Sequence, residues 1–453
     1  MNIQDIAQRL VSHSEKAGAT QAEAYSILVK TSSIYIDDNI PKIADTKTEL
    51  GVGLKLIIDK KIGFTSSTLL SEDASDVVSR AKSLAEIANA DQKFISLPDP
   101  KKVSGKRDKF SDKDTAEADS SVLIDLCMEL VNAASSSKVS VPNGVLRASS
   151  IDFQIINSLG VDTGSESTMV FGYFTAKAED NGSVGEGVQR IWSRSLKDTD
   201  FTAKGEILQT QALDVIKSEP FKDNWDDIVA ILAPSEGSEM MGSLLGDALS
   251  AENVNNRSSP WTDRVGDKVA HESLNVVDNG LSEKGLLSAA VDDEGTPTAK
   301  TIAIENGTLR SYLFDSYNAQ QHDLESTGNG LRRGYRDAHG AFTASVSCRP
   351  TTIEIPAGKY DLDSMISEIK RGIYVEHFAW PQVDSLSGAF SNEIRNACLI
   401  ENGELTTKVK YALLAGNLYE SLKKEILFGN DLEVNSRYVM PTMGFAGVEL
   451  VGQ

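Results

Sequence analysis

The sequence predicts an α+β protein, with smaller N-terminal α+β domains followed by a large, mainly antiparallel, β-rich C-terminal domain. Three observations carry this expectation. An amphipathic helix opens the chain, but too little helix separates the alternating stretches that follow it for repeated βαβ units. A second block has the same make-up of helix, paired strands and helix. The rest is mostly short β-prone runs punctuated by Gly, Asn and Asp.

Taken in order, residues 1–95 form the first α+β domain. Ile3, Ile6, Leu10 and Val11 share one face of the opening helix. Strands are expected at Ala22–Tyr35, Leu50–Ile58 and Ile62–Ser67, the last two joined through Asp59-Lys60-Lys61, and a helix near Ala74–Ala90. Residues 96–116, rich in Pro, Lys, Asp and Ser, read as an exposed linker. Residues 117–220 form a central α+β domain. A helix near Ala118–Ala134 precedes strands at Gly144–Asn157 and Thr168–Ala178. The glycines of Asn181–Gly187 break the pattern, and a helix near Gly205–Lys217 closes the domain. The β-rich domain, 221–453, has helices near Gly237–Ser250, Leu362–Arg371 and Leu413–Ile426, and its strands form a mainly antiparallel, barrel-like layer. Asn306-Gly307, between the apolar runs Thr301–Ile304 and Leu309–Phe314, signals a hairpin whose turn needs positive φ. No internal repeat is present.

Composition narrows the function classes. The 453 residues, 40% hydrophobic and 25% charged, have ordinary globular make-up. With 66 acidic against 45 basic residues the net charge is −21, which repels polyanions and argues against phosphate-backbone binding. Arg332, Arg333 and Arg336 around Tyr335 are the nearest thing to a basic patch and read as local salt-bridge partners. Cys127, Cys348 and Cys398 lie far apart with no CxxC pair, which fits a reducing compartment. The N-terminus lacks the basic and apolar regions of a signal peptide, and no apolar run approaches the ~18 residues of a membrane span. The expectation is a cytoplasmic protein.

Familiar catalytic patterns are missing. Gly182, Gly185 and Gly187 do not follow the dinucleotide order, and Gly280 and Gly285 lack the Lys-Ser/Thr of a phosphate loop. The five histidines include one His-Glu pair, His271-Glu272, with no second histidine a helical turn on. Ser385–Ser391 has no neighbouring base. Neither spacing nor context favours a pair of Cys348 with His339 or His377.

The segment Val277–Gly334 is more specific. It orders an acidic turn, Asp292-Asp293-Glu294-Gly295-Thr296-Pro297, then Glu305-Asn306-Gly307, then Thr327-Gly328-Asn329-Gly330. With Gly372-Ile373-Tyr374, Val383–Phe390, Ile400–Glu404 and Gly429–Leu432, this order resembles the TldD/PmbA (TldE) family, the modulators of gyrase. The resemblance implies a cytoplasmic protease that pairs a zinc-bearing TldD subunit with a metal-free TldE subunit and cleaves unfolded or flexible peptides in an enclosed cavity. It also implies where zinc ligands should stand: a His-Glu-x-x-x-His helix just before a Gly-Asp pair, and a late cysteine. Counting back from Gly246-Asp247 puts Gly237 and Gly242 at the histidines and Ser238 at the glutamate, and the tail from Ser436 has no cysteine. Glu236 and Glu239 flank the position and read as helix N-terminal acids. Cys398 reads as buried packing in a strand, Arg395–Ile400.

The chain is therefore expected to be the TldE-like subunit of a heterodimer, with no catalytic residue and no cofactor of its own, and with zinc in its TldD-like partner. Alone it could form a homodimer. Asp293, Glu294, Gly328, Asn329 and Gly330 are candidates to line the substrate cavity or the subunit interface, against the plainer reading that they are tight turns. Two other readings remain open from sequence: a regulatory protein acting on gyrase, and a self-sufficient hydrolase with an unrecognised nucleophile.

Overall fold

The computed structural model describes residues 2–68, 74–104, 106–332 and 338–452. The N-terminal half is built on one six-stranded antiparallel sheet: β1 (Gln21–Asp37), β2 (Ile40–Ile58), β3 (Lys61–Ser67), β4 (Val139–Asn157), β5 (Asp162–Asp180) and β6 (Ser183–Ser193). Its order is β3-β2-β1-β4-β5-β6, so β1 pairs with β4 across the connection at 96–116. Tight hairpins set the registers. Asp38-Asn39, Asp59-Lys60 and Asn181-Gly182 all have positive φ, the twist that matches right-handed strands. Strand alternation then divides the sheet into two buried faces. One face carries Leu54, Leu56, Leu146 and Phe174 against the helices Ile3–Lys16, Ala74–Ile87, Ser120–Ala134 and Phe201–Ile216. The other carries Tyr25, Ile27 and Phe153 against Ala289, Val291 and Phe342 of the C-terminal half.

In the C-terminal half the ladders close on themselves. Arg371–Phe378 pairs in parallel with Asn224–Leu232, which pairs with Met443–Val451, then Ala412–Asn417, then Ala389–Glu401, which returns to Arg371–Phe378. This ring realises the expected barrel-like layer and removes the two free edges that an open five-stranded sheet would have. A second, six-stranded sheet includes the hairpin of Lys300–Glu305 with Thr308–Leu309, where Asn306 and Gly307 have φ of 48° and 73°. The fold is α+β, and the C-terminal half is mainly antiparallel. No helix among the described residues is long and apolar enough to cross a membrane.

Four local expectations change. The 96–116 connection is not exposed throughout, because Leu97 and Phe110 are buried and Arg107 binds Asp152 and Glu166. Isolated apolar residues leave no periodicity to read. The glycines near 181–187 do not end the sheet. Gly185 and Gly187 lie within β6, where a Cβ would strike the backbone of the helix Phe201–Ile216 at Ala212 and Leu208. The expected helix at Leu362–Arg371 stops at Ser367, and Arg371 begins a strand. The expected helix at Leu413–Ile426 shrinks to Leu418–Leu422, since Ala412–Asn417 is drawn into the ring.

Candidate functional site

The helix Pro234–Ala248 follows directly from the ring strand Asn224–Leu232, with Pro234 in its first turn, where a missing N–H costs nothing. Gly237, Gly242 and Gly246 all lie inside it, each costing about 1 kcal/mol relative to alanine. Packing explains two of them. A Cβ on Gly237 would come within 2.7 Å of the Met443 methyl, and one on Gly242 would overlap the Tyr438 ring. Gly246 has open space beside it. The C-terminal chain supplies this packing. Tyr438–Met440 lies against the helix, and Met443 and Gly444 pair with Leu232 and Ile231. The helix and the tail, singled out separately in the sequence, meet in space.

The donor set at this meeting point does not fit a zinc ion. Gly237 and Gly242 offer no side chain, the tail offers neither Cys nor His, and no group of three or more His, Cys, Asp or Glu among the described residues could hold a metal. Ser238, at the glutamate position, is fully buried, and its hydroxyl has no hydrogen-bond partner among the described residues. The helix flank instead walls a polar groove of about 520 Å³, lined by the acids Glu239, Asp247 and Glu252 and by Arg349, Arg437 and Tyr438.

Glu236 stands in the first turn of the helix, as expected of a helix N-terminal acid, but its side chain is enclosed. It is wholly buried and accepts hydrogen bonds from Arg190 Nη1 of β6 at 3.0 Å and from the Phe378 N–H at 3.0 Å, with His377 Nδ1 at 3.4 Å. Burial works to raise its pKa, but the His377 contact, the Arg190 charge and the Phe378 N–H outweigh it and hold the carboxyl below its ordinary value. The side chain thus ties the N-terminal sheet to the helix and the ring.

The acidic turn and the glycine loop are brought together, but inside the protein. Asp292 accepts from the N–H groups of Glu294, Thr296 and Gly330 at 2.9–3.0 Å, and Asp293 Oδ2 accepts from the Arg332 N–H at 2.7 Å. Glu294 Oε2 accepts from the Ser316 N–H at 2.8 Å. Gly328, at φ 79°, passes so close to Pro297 and Thr298 that a Cβ would collide with their backbone. Asn329 donates to Asp278, which also accepts from Thr351 and the Thr352 N–H. Burial overrides these bonds and pushes Asp278 up to about 6. Burial, with the Asp315 charge, pushes Glu294 up to about 7, and burial with the Glu294 charge raises Asp292 as well. Of the five residues expected to line a cavity or interface, Glu294 reaches one, a cavity of about 330 Å³ shared with Lys55, Glu252 and Asp315. Asp293, Asn329 and Gly330 are buried, and Gly328 is packed on the Pro297 turn.

Arg332 is a salt-bridge partner, as expected. Its guanidinium donates to Glu23 of β1 at 2.6 Å and lies over the Tyr25 and Phe64 rings. Arg333, Tyr335 and Arg336 lie outside the described residues. Cys348 is buried, pushed up to about 12 and directed at the Leu313 carbonyl, while His339 bonds Thr31 and His377 faces Glu236. No Cys-His pair forms between them. Sequence reasoning missed Glu23, Arg190 and Asp278. The available signal was charge beside apolar strand residues, on both sides in Ala22-Glu23-Ala24 but on one side only in Arg190-Ile191 and Val277-Asp278.

Comparison with known proteins agrees along the chain. Family models described as domain 1, the central domain and the C-terminal domain of PmbA/TldA metallopeptidases match residues 22–85, 113–215 and 226–452. An uncharacterized protein of Methanocaldococcus jannaschii is 26% identical over 97% of this chain and 98% of its own length. A metalloprotease TldD homolog of Buchnera aphidicola is 37% identical over 44% of this chain and 41% of its own. The crystal structure of TldE from Thermococcus kodakarensis superposes with a TM-score of 0.88 at 24% identity, covering 99% of this chain and all of that one, a likeness of fold.

Proposed function

This chain belongs to the PmbA/TldD metallopeptidase family, and from that premise we propose that it is the zinc-ligand-lacking, TldE-like subunit of a two-subunit cytoplasmic peptidase. The observation that carries the reading is the meeting of the helix Pro234–Ala248 with the C-terminal tail. Side chains that would bind metal are replaced there by Gly237 and Gly242, and the Tyr438 ring fills the space beside Gly242. The bond-breaking chemistry then belongs to a TldD-like partner that supplies zinc. This chain completes the chamber, and its polar groove beside Gly246 offers a place for an extended, flexible peptide. The buried turn at Asp292–Pro297 and the loop Gly328-Asn329-Gly330 act as internal bracing for that surface.

The test is zinc content and cleavage of an unfolded peptide by the purified chain, alone and mixed with a TldD-like homologue. The expected result is no stoichiometric zinc and no cleavage alone, with zinc-dependent cleavage by the mixture. Tightly bound zinc and turnover by the isolated chain would overturn the proposal.

A further inference from the structure

Glu294 and Asp315 each use only half of a buried carboxyl. Both residues are 3% exposed. Glu294 Oε2 accepts from the Ser316 N–H, and Asp315 Oδ1 accepts from the Asn318 N–H and side-chain amide, all at 2.8 Å. Glu294 Oε1 and Asp315 Oδ2 have no hydrogen-bond partner among the described residues. Buried acceptors are normally satisfied, so two orphaned oxygens side by side need an explanation. Both residues line the cavity of about 330 Å³ in which Lys55 of β2 and Leu97 face Glu252 of the C-terminal half. The positive charge nearby is committed elsewhere. Glu23 takes Lys55 at 3.5 Å and Arg332 at 2.6 Å, and Lys93, which also lines the cavity, is exposed to solvent.

We infer that this cavity binds a small organic cation, an ammonium or guanidinium group on a short chain, whose N–H groups donate to Glu294 Oε1 and Asp315 Oδ2. Such groups carry three to five donors and no acceptor, the complement of two free carboxyl oxygens. A metal ion fits less well, because no group of three or more His, Cys, Asp or Glu among the described residues could hold one. Ile62 and Leu97 add apolar lining for the stem, and the volume lies at the lower end for small-molecule sites. Since the lining comes from both halves of the chain, the bound cation ties them together. Proton linkage follows. Glu294, at about 7, faces Asp292, Asp315, Glu23 and Lys55, and Asp315 is also raised, by burial and the Glu252 charge. A bound cation favours the ionised carboxyls, so binding releases protons and tightens as pH rises through that value.

Calorimetric titration of the purified full chain tests this, with agmatine as a free amine, a capped lysine peptide as a side-chain source, and 1-pentanol as an uncharged control. Saturable binding of agmatine or of the peptide is expected, up to about tenfold tighter near pH 8 than near pH 6, and none of the alcohol. The tighter of the two cations identifies the source. Glu294→Gln keeps the acceptor for the Ser316 N–H, and Asp315→Asn keeps the one for the Asn318 N–H. Each should weaken binding by about tenfold or more, and Glu294→Gln should flatten its pH dependence. Lys55→Gln removes a competing charge and should tighten binding, which general damage to the fold would not do. Circular dichroism checks that the variants fold. Absence of saturable cation binding overturns the inference, as does equal binding of the alcohol or an affinity indifferent to Glu294→Gln. The readout needs neither zinc nor a partner subunit, so failure here leaves the proposed function standing.

Discussion

Glu236 shows how much one side chain can join. Its carboxylate, itself buried, is shared by Arg190 from β6, His377 from the ring and the Phe378 N–H. Removing one partner of a buried pair leaves the other charge unsolvated, which costs more than the pair itself contributes. Arg190 keeps some access to solvent, which moderates the loss. Glu236→Gln is expected to destabilise the protein by roughly 2–3 kcal/mol, read as a lower midpoint in urea unfolding. The hydroxyl of Ser238, two residues on, has no partner to lose. Ser238→Ala should therefore leave the same midpoint nearly unchanged, which separates the effect of the ion pair from general sensitivity of the helix.

Among elements, the helix Pro234–Ala248 and the tail define one another. Glycine at 242 lets the Tyr438 ring approach the helix backbone, and interiors packed to crystal-like density do not absorb an added group freely. Writing the family's histidines back in as Gly237→His/Gly242→His is expected to cost at least ~1–3 kcal/mol through overpacking and to give no stoichiometric zinc. Thermal unfolding and metal analysis of the purified variant check both. Adding Tyr438→Ala should recover part of the stability by vacating the space. The β hairpins follow a simpler logic. Positive φ at Asp38-Asn39, Asp59-Lys60, Asn181-Gly182 and Asn306-Gly307 is set by a few residues in each turn, which is why turns at Asp59 and Asn306 could be read from the chain.

At the scale of the whole molecule, buried carboxyls couple stability to pH, and one of them, Glu294, lies within reach of the Lys55 and Glu23 charges of the N-terminal sheet. Asp278 at about 6, Glu294 at about 7 and the raised Asp292 all hold protons more tightly in the folded state than in an unfolded chain, where carboxyls titrate at roughly 4. The folded state therefore carries the extra protons between those values, and stability must fall as pH rises through that window. Glu236, whose pKa is lowered, works in the opposite direction and only at lower pH. The midpoint of thermal unfolding is expected to be higher near about pH 5 than near about pH 8. Glu294→Gln, which keeps an acceptor for the Ser316 N–H, should flatten that dependence, an effect on the order of 1–3 kcal/mol. An unchanged slope in the variant would remove Glu294 from the account.

Much of this protein was legible in its sequence. Periodicity placed the opening helix and five of the six strands of the N-terminal sheet, the density of turns announced the β-rich C-terminal half, and missing donors at Gly237, Gly242 and in the tail were visible by inspection. These features depend on residue type and local φ, which the chain carries with it. Other features depended on contacts hundreds of residues apart. Phe110 is buried though no pattern surrounds it, Ala412–Asn417 is a strand because it pairs with Ala389–Glu401 in the ring, and Asn329 is enclosed on Asp278. The sequence by itself determined the fold class, the family resemblance and the absence of zinc ligands at the expected positions. Only the tertiary structure decided that helix and tail converge, that Tyr438 fills the space beside Gly242, and that the acidic turn braces the interior. Burial and long-range register are properties of the packed chain, and no single segment encodes them.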